Sequence, residues 1–180
     1  MVYIILGEGF EPVEATAPAD ILRRGGIETA FAGIGGRIVT GAHDIKTVCD
    51  IDIAELDPEK ADMIVIPGGL GGVNSIKSSD IAMKKIGEAY ERGAALAAIC
   101  AGPTVLYALG VLDGVSAVCY PGMEEQMPKA RFVKNEHSHR DGRIITGRGP
   151  CSALEFGFTL LEYFKGPEAA KKLRADMACL

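Results

Sequence analysis

Apolar side chains along this chain gather into short blocks, and the stretches between them carry helical spacing or turn residues. The first block, residues 1–6, predicts a strand, because no basic segment precedes it and Gly7-Glu8 ends it too early for a secretory signal. Residues 11–24 then read as a helix with a proline in its first turn, early carboxylates and two late arginines, stopped by Gly25-Gly26. Residues 28–32 predict a second strand. A glycine-rich stretch over 33–41 follows, with short extended pieces through Val48 whose register the pattern leaves open.

Residues 61–66 read as a buried strand that breaks at the loop Pro67-Gly68-Gly69-Leu70-Gly71-Gly72. Ser79-Asp80 caps the next helix, which turns Ile81, Ile86, Ala89 and Tyr90 inward and ends at Gly93. Residues 94–99 form a continuous apolar run, as expected of a parallel strand covered on both faces, and it ends in Cys100-Ala101-Gly102-Pro103. Small residues there permit a sharp turn from strand to helix with the thiol on the bend, a nucleophile elbow carrying sulfur.

Beyond the elbow, residues 103–109 predict a helix, 115–119 a weaker strand, and the segment to Lys129 is irregular. Residues 132–140 and 143–146 flank Asp141-Gly142, a strong hairpin signal. Pro150 opens a helix through Phe164 with Leu154, Phe158 and Leu161 inward, and a short amphipathic helix starts at Pro167. Strands alternating with helices at this spacing predict a three-layer α/β domain around a mostly parallel sheet. Ligands of such sheets sit beyond the strand carboxyl ends, where three loops converge: the one leading to Glu14, the 67–72 loop and the Cys100 elbow.

With 180 residues, 48% of them hydrophobic, the chain suits one domain with a sizeable core over residues 1–180. The 19 basic and 24 acidic residues are scattered, so no basic stripe is offered to nucleic acid or to an anionic membrane. No apolar stretch approaches the roughly 20 residues that cross a bilayer. Five irregularly spaced cysteines make neither a disulfide framework nor a CxxC pair, which suits a reducing cytoplasm.

Those bounds leave the elbow as the chief chemical feature. At a helix start, backbone N–H groups and the dipole favour a thiolate, so Cys100 is expected to be acidified. An isolated cysteine is more often a buried structural residue, and the strand-to-helix context is what overturns that reading. Glu14 lies one turn into the first helix, where dipole complementarity alone accounts for a carboxyl. If it points at the sulfur, a protonated Glu14 donates to the thiolate and the two groups titrate as a pair. Pro67-Gly68-Gly69 and the amide of Ala101 are positioned to supply an oxyanion hole. Neither GxxxxGK[ST] nor a spaced GxGxxG is present, which argues against a nucleotide site.

These pieces resemble the ThiJ/PfpI superfamily in its DJ-one branch. The matching stretches are Glu11-Pro12-Val13-Glu14-Ala15, Ile66-Pro67-Gly68-Gly69, residues 97–103 around Cys100, and Thr146-Gly147-Arg148-Gly149-Pro150. The resemblance implies a flavodoxin-like sandwich, usually a homodimer, with Cys100 as the oxidation-sensitive nucleophile and Glu14 as its protonated partner. It also implies that Gly68 and Gly69 line the oxyanion site and that Arg148 helps wall the pocket. The activities it implies are a cofactor-independent glyoxalase converting methylglyoxal to lactate, a deglycase, chaperone action and oxidative-stress sensing. PfpI-type proteases usually carry histidine after the cysteine; here the residue is Ala101.

One position departs from the branch. Counted back from Asp141-Gly142, the histidine often found near the cysteine falls near Ala130 here, and no histidine occurs between His43 and His137. The spacing of His137 and His139 is compatible with a metal, but it flanks an exposed hairpin, and no metal is expected. His43 has no context that selects it. Cys151, at a helix start near Arg148, is either a small structural residue or a thiol that resolves an oxidised Cys100. The first functional expectation is a small-aldehyde enzyme in which Cys100 attacks a 2-oxoaldehyde, without metal, cofactor or glutathione. The alternative is a redox sensor or chaperone based on oxidation of Cys100, and a cysteine protease or amidase comes third.

Overall fold

The computed structural model describes residues 1–179 and places most of the predicted alternation on one seven-stranded sheet. β1 (Val2–Leu6) leads into α1 (Pro12–Arg24), and β2 (Thr29–Gly33) returns parallel to β1. A ribbon follows, β3 (Ile38–Thr40) antiparallel to β4 (Lys46–Val48), before the edge strand β5 (Ile51–Asp52). Next come β6 (Met63–Ile66), α2 (Leu70–Lys77), α3 (Asp80–Glu91), β7 (Ala95–Ile99) and α4 (Pro103–Ala108). β8 (Ser116–Ala117) and β9 (Arg131–Phe132) form a separate parallel pair. The hairpin β10 (Ser138–Asp141) and β11 (Ile144–Gly147) then precedes α5 (Ala153–Lys165) and α6 (Pro167–Asp176).

The large sheet runs β10-β11-β7-β6-β1-β2-β5 and is parallel except for β10. Its winding reverses between β1 and β6, so the crevice that such sheets use for ligands opens at the carboxyl ends of β1, β6 and β7. Alternate side chains of these strands feed two cores. Val2, Ile4 and Leu6 join Met63, Val65, Ala97 and Ile99 on the face covered by α1 and α5, where Leu22, Phe156 and Leu160 pack. Tyr3, Ile5, Ile64, Ile66, Leu96 and Ala98 face α2, α3 and α4 through Val73, Ile76, Ile86 and Val105. Each fully buried Val, Leu or Ile contributes about 1.5–3 kcal/mol. Burial on both faces is why these strands lack the polar alternation of a half-exposed sheet.

The structure corrects several boundaries. Leu70, Gly71 and Gly72 open α2 instead of completing a loop, and a Cβ on Gly72 would lie 2.7 Å from Phe10 Cα. The glycines that disguise this helix let it approach the β1–α1 loop. Ile81 and Leu154 are each 50% exposed, and Ala82 and Ala153 take the inward positions beside them. The arm predicted over 132–140 is divided, since Arg131–Phe132 pairs with β8 and only Ser138–Asp141 pairs with β11. Pro150–Ser152 form a 3-10 turn ahead of α5. Among the described residues, no helix is long and apolar enough to cross a membrane.

Candidate active site

Three loops meet at the carboxyl ends of β1, β6 and β7, the first two joined by a backbone hydrogen bond. Glu11 N–H donates to Gly68 C=O (3.0 Å), tying the start of α1 to the loop after β6. Gly69 has φ +83°, and a Cβ there would lie 2.4 Å from Gly9 C=O, so a side chain fits neither its conformation nor its space. Gly102 lets the elbow pass β6, since a Cβ on it would lie 2.5 Å from Ile66 C=O.

Cys100 stands at the turn with φ +63°, in the left-handed region that side chains rarely adopt. Two backbone hydrogen bonds hold it there: its N–H donates to Gly147 C=O (2.9 Å), and its C=O accepts from Tyr120 N–H (3.0 Å). The thiol is partly exposed, whereas Glu14 has no exposed surface. Glu14 Oε2 accepts the Gly68 N–H at 2.7 Å, and Oε1 is buried without a well-aligned donor. A Cβ on Gly68 would sit 2.6 Å from Glu14 Oε2 and 2.9 Å from Cys100 Sγ, so carboxyl and sulfur are separated by no more than those two distances together.

This geometry sets the electrostatics. Burial lifts the Glu14 carboxyl from 4.5 to about 7, against the Gly68 N–H and the Cys100 hydrogen bond, which favour its charged form. The Cys100 thiol is pushed up to about 12, first by burial and then by the Glu14 charge, against the backbone N–H groups of Ala101 and Gly69. The expected acidification at a helix start is therefore overturned. α4 begins only at Pro103, and burial of the thiol together with the Glu14 carboxylate outweighs the two amides. Two negative charges this close in a buried site disfavour each other, so the pair retains a shared proton near neutrality. Placing it on Glu14 removes the charge that opposes the thiolate.

Each sequence-selected residue now has a location. Cys100, Glu14, Gly68, Gly69 and Ala101 come together, but the Gly68 amide is engaged by Glu14, leaving Gly69 and Ala101 as the donors at the sulfur. Arg148 is joined to the elbow through its neighbour Gly147, while its exposed side chain stands between two adjoining cavities of about 450 and 300 Å³. Neither cavity is lined by Cys100 or Glu14. Ala130 contributes no titratable group. His43 is exposed in a left-handed turn. His137 Nδ1 pairs with Ser152 Oγ (3.0 Å) and His139 Nδ1 with Glu136 Oε2 (2.8 Å), so the two imidazoles have different partners. Among the described residues, no three His, Cys, Asp or Glu side chains form a metal-binding group. Sequence reasoning missed Tyr120 and the clamping role of Gly147, which it quoted only within a matching stretch, because both hold Cys100 through backbone atoms and leave no side-chain signal.

The same framework occurs in known proteins. The chain is 37% identical to the Drosophila melanogaster protein dj-1beta over 172 residues, 94% of this chain and 92% of that one. The crystal structure of Drosophila melanogaster DJ-1beta superposes with a TM-score of 0.94 at 34% identity, covering 99% of this chain and 97% of the other. A Caenorhabditis elegans protein named glutathione-independent glyoxalase DJR-1.2 is 29% identical over 167 residues, 92% of this chain and 89% of that one. The DJ-1/PfpI family model matches residues 1–163, which carry the elbow, the glycine loop and the buried glutamate alike, and the chain belongs to the DJ-1/PfpI family.

Proposed function

We propose that this protein is a glutathione-independent glyoxalase acting on 2-oxoaldehydes of the methylglyoxal type, with Cys100 as nucleophile and Glu14 as proton carrier. The observation that carries the reading is the buried Glu14 carboxyl held beside the Cys100 sulfur by Gly68, with the Ala101 and Gly69 amides at the same atom. The Cys100 thiolate adds to the aldehyde carbon, and the carbonyl oxygen gains the negative charge. Donors at the elbow then stabilise that charge. Glu14 takes the proton from the former aldehyde carbon and returns one to the neighbouring carbon, converting the hemithioacetal to a thioester through an enediol. Water hydrolyses the thioester to the 2-hydroxy acid and frees the thiol. Glu14 is suited to both directions of transfer because its carboxyl titrates near neutrality. A family relative named as a glutathione-independent glyoxalase supports the same reading.

The proposed active form is a homodimer. Val13, Ile38, Ile45 and Val48 are large apolar side chains exposed near the start of α1 and on the β3–β4 ribbon, and a second copy would cover them. The test of activity is lactate formation from methylglyoxal in glutathione-free buffer. Wild type is expected to turn over, Cys100→Ser to be inactive, and Glu14→Gln to lose about a hundredfold or more in kcat. Wild-type lactate formation no faster than that of Cys100→Ser would overturn the proposal.

A second reading uses the same sulfur. Cys100 is partly exposed and faces the Gly69 and Ala101 amides, a setting suited to holding sulfinate oxygens after peroxide oxidation. Oxidation would consume the nucleophile, so the sensor state is the inactive state of the enzyme.

A further inference from the structure

A second thiol lies in its own cleft beyond the Arg148 turn. This cleft, of about 300 Å³, has apolar walls from Tyr120, Pro121 and Pro150, and its polar residues include His137, Arg148 and Cys151. No carboxylate lines it. Among the described residues, the Arg148 guanidinium forms no hydrogen bond or ion pair within the chain, while its backbone N–H is anchored on His137 C=O at 3.0 Å. His137 is oriented by its Nδ1 contact to Ser152 Oγ, and Ser152 is buried. Cys151 is exposed on the 3-10 turn immediately preceding the 13-residue helix α5. Its neighbours in the cleft are a fixed imidazole and an unpaired cation, whereas Cys49 and Cys119 are buried thiols.

We propose that this cleft is a second thiol site, at which Cys151 exchanges with small carboxylate-bearing disulfides and holds one half as a mixed disulfide. Arg148 supplies the charge that recruits a carboxylate, and the Tyr120, Pro121 and Pro150 walls accommodate the apolar part of the reagent. The Cys151 thiolate attacks one sulfur of the incoming disulfide; a new S–S bond forms to Cys151 as the old one breaks. The departing thiolate takes up the proton that Cys151 has lost. Cys151 and the incoming disulfide thus become a mixed disulfide and a free thiol, with the incoming disulfide as the oxidant. No step passes through Cys100, although Tyr120, a wall of this cleft, also donates its N–H to the Cys100 C=O.

The test exposes the full chain to oxidised glutathione, which carries carboxylates, or to cystamine, which is a cationic disulfide of the same reactivity class. Peptide mass mapping follows each cysteine over time in wild type, Cys151→Ala and Arg148→Ala. Glutathionyl mass is expected first on Cys151 and absent there in Cys151→Ala. Arg148→Ala is expected to slow glutathionyl transfer about tenfold while leaving cystamine transfer unchanged or faster, as loss of a charge-assisted contact requires. The cystamine rate also reports whether the Arg148→Ala cleft remains intact. Preferential labelling of another cysteine, or equal effects of Arg148→Ala on both disulfides, would overturn the proposal.

Discussion

Replacing Glu14 with glutamine should make the stability difference between the two proteins depend on pH, moving against wild type as pH rises. In the unfolded chain this carboxyl titrates at the ordinary 4.5; in the fold burial lifts it to about 7. Between those values the folded protein binds a proton that the unfolded chain has released, so stability falls with rising pH. The contribution is fully present below 4.5 and lost above about 7. A shift of this size corresponds to about 3 kcal/mol. Glutamine retains an oxygen for the Gly68 N–H and cannot ionise. Cys100 does not blur the window, because its thiol is held up to about 12. Denaturant unfolding of wild type and Glu14→Gln should therefore show a stability difference that moves by about 3 kcal/mol against wild type across the window. A difference that stays constant, or moves toward wild type, would refute the assignment of a buried carboxyl whose charged form is disfavoured.

Two further outcomes follow from the same contacts. Gly68→Ala would place a methyl 2.6 Å from both Cys100 Cβ and Glu14 Oε2. It is expected to cost about 1–3 kcal/mol in unfolding free energy and about a hundredfold in lactate formation, and near-wild-type activity would show that the pair tolerates displacement. Mild peroxide should add two oxygens to Cys100 in intact wild-type protein and none in Cys100→Ser; even oxidation across several cysteines would remove the basis for selectivity at the elbow.

The strands of the central sheet were legible because burial on both faces writes continuous apolar runs at residues 2–6, 63–66 and 95–99. α1 was legible from its proline, its acidic start and its basic end. α2 was not, since Gly71 and Gly72 have poor helix propensity and are present for close packing against Gly9 and Phe10. Ile81 and Leu154 misled because one apolar residue near a helix start does not fix which way that turn faces. In the site, the loops carrying Cys100 and Glu14 were legible from topology. Their separation was not, because it depends on where Gly68 lets two side chains meet. Nor was the sign of the cysteine shift, which comes first from burial and then from a carboxylate far away in sequence, and not from the local helix.

The left-handed backbone at Cys100 has a consequence for how this sequence came to be. Any residue with a Cβ in that conformation costs the fold about 1–2 kcal/mol that glycine would not. Selection for foldability alone would thus drive position 100 toward glycine, and the neighbouring clamps from Gly147 and Tyr120 would hold a glycine equally well. A cysteine at this turn therefore stands where glycine would be the more stable choice, and the role proposed for the thiol supplies a reason for its presence there.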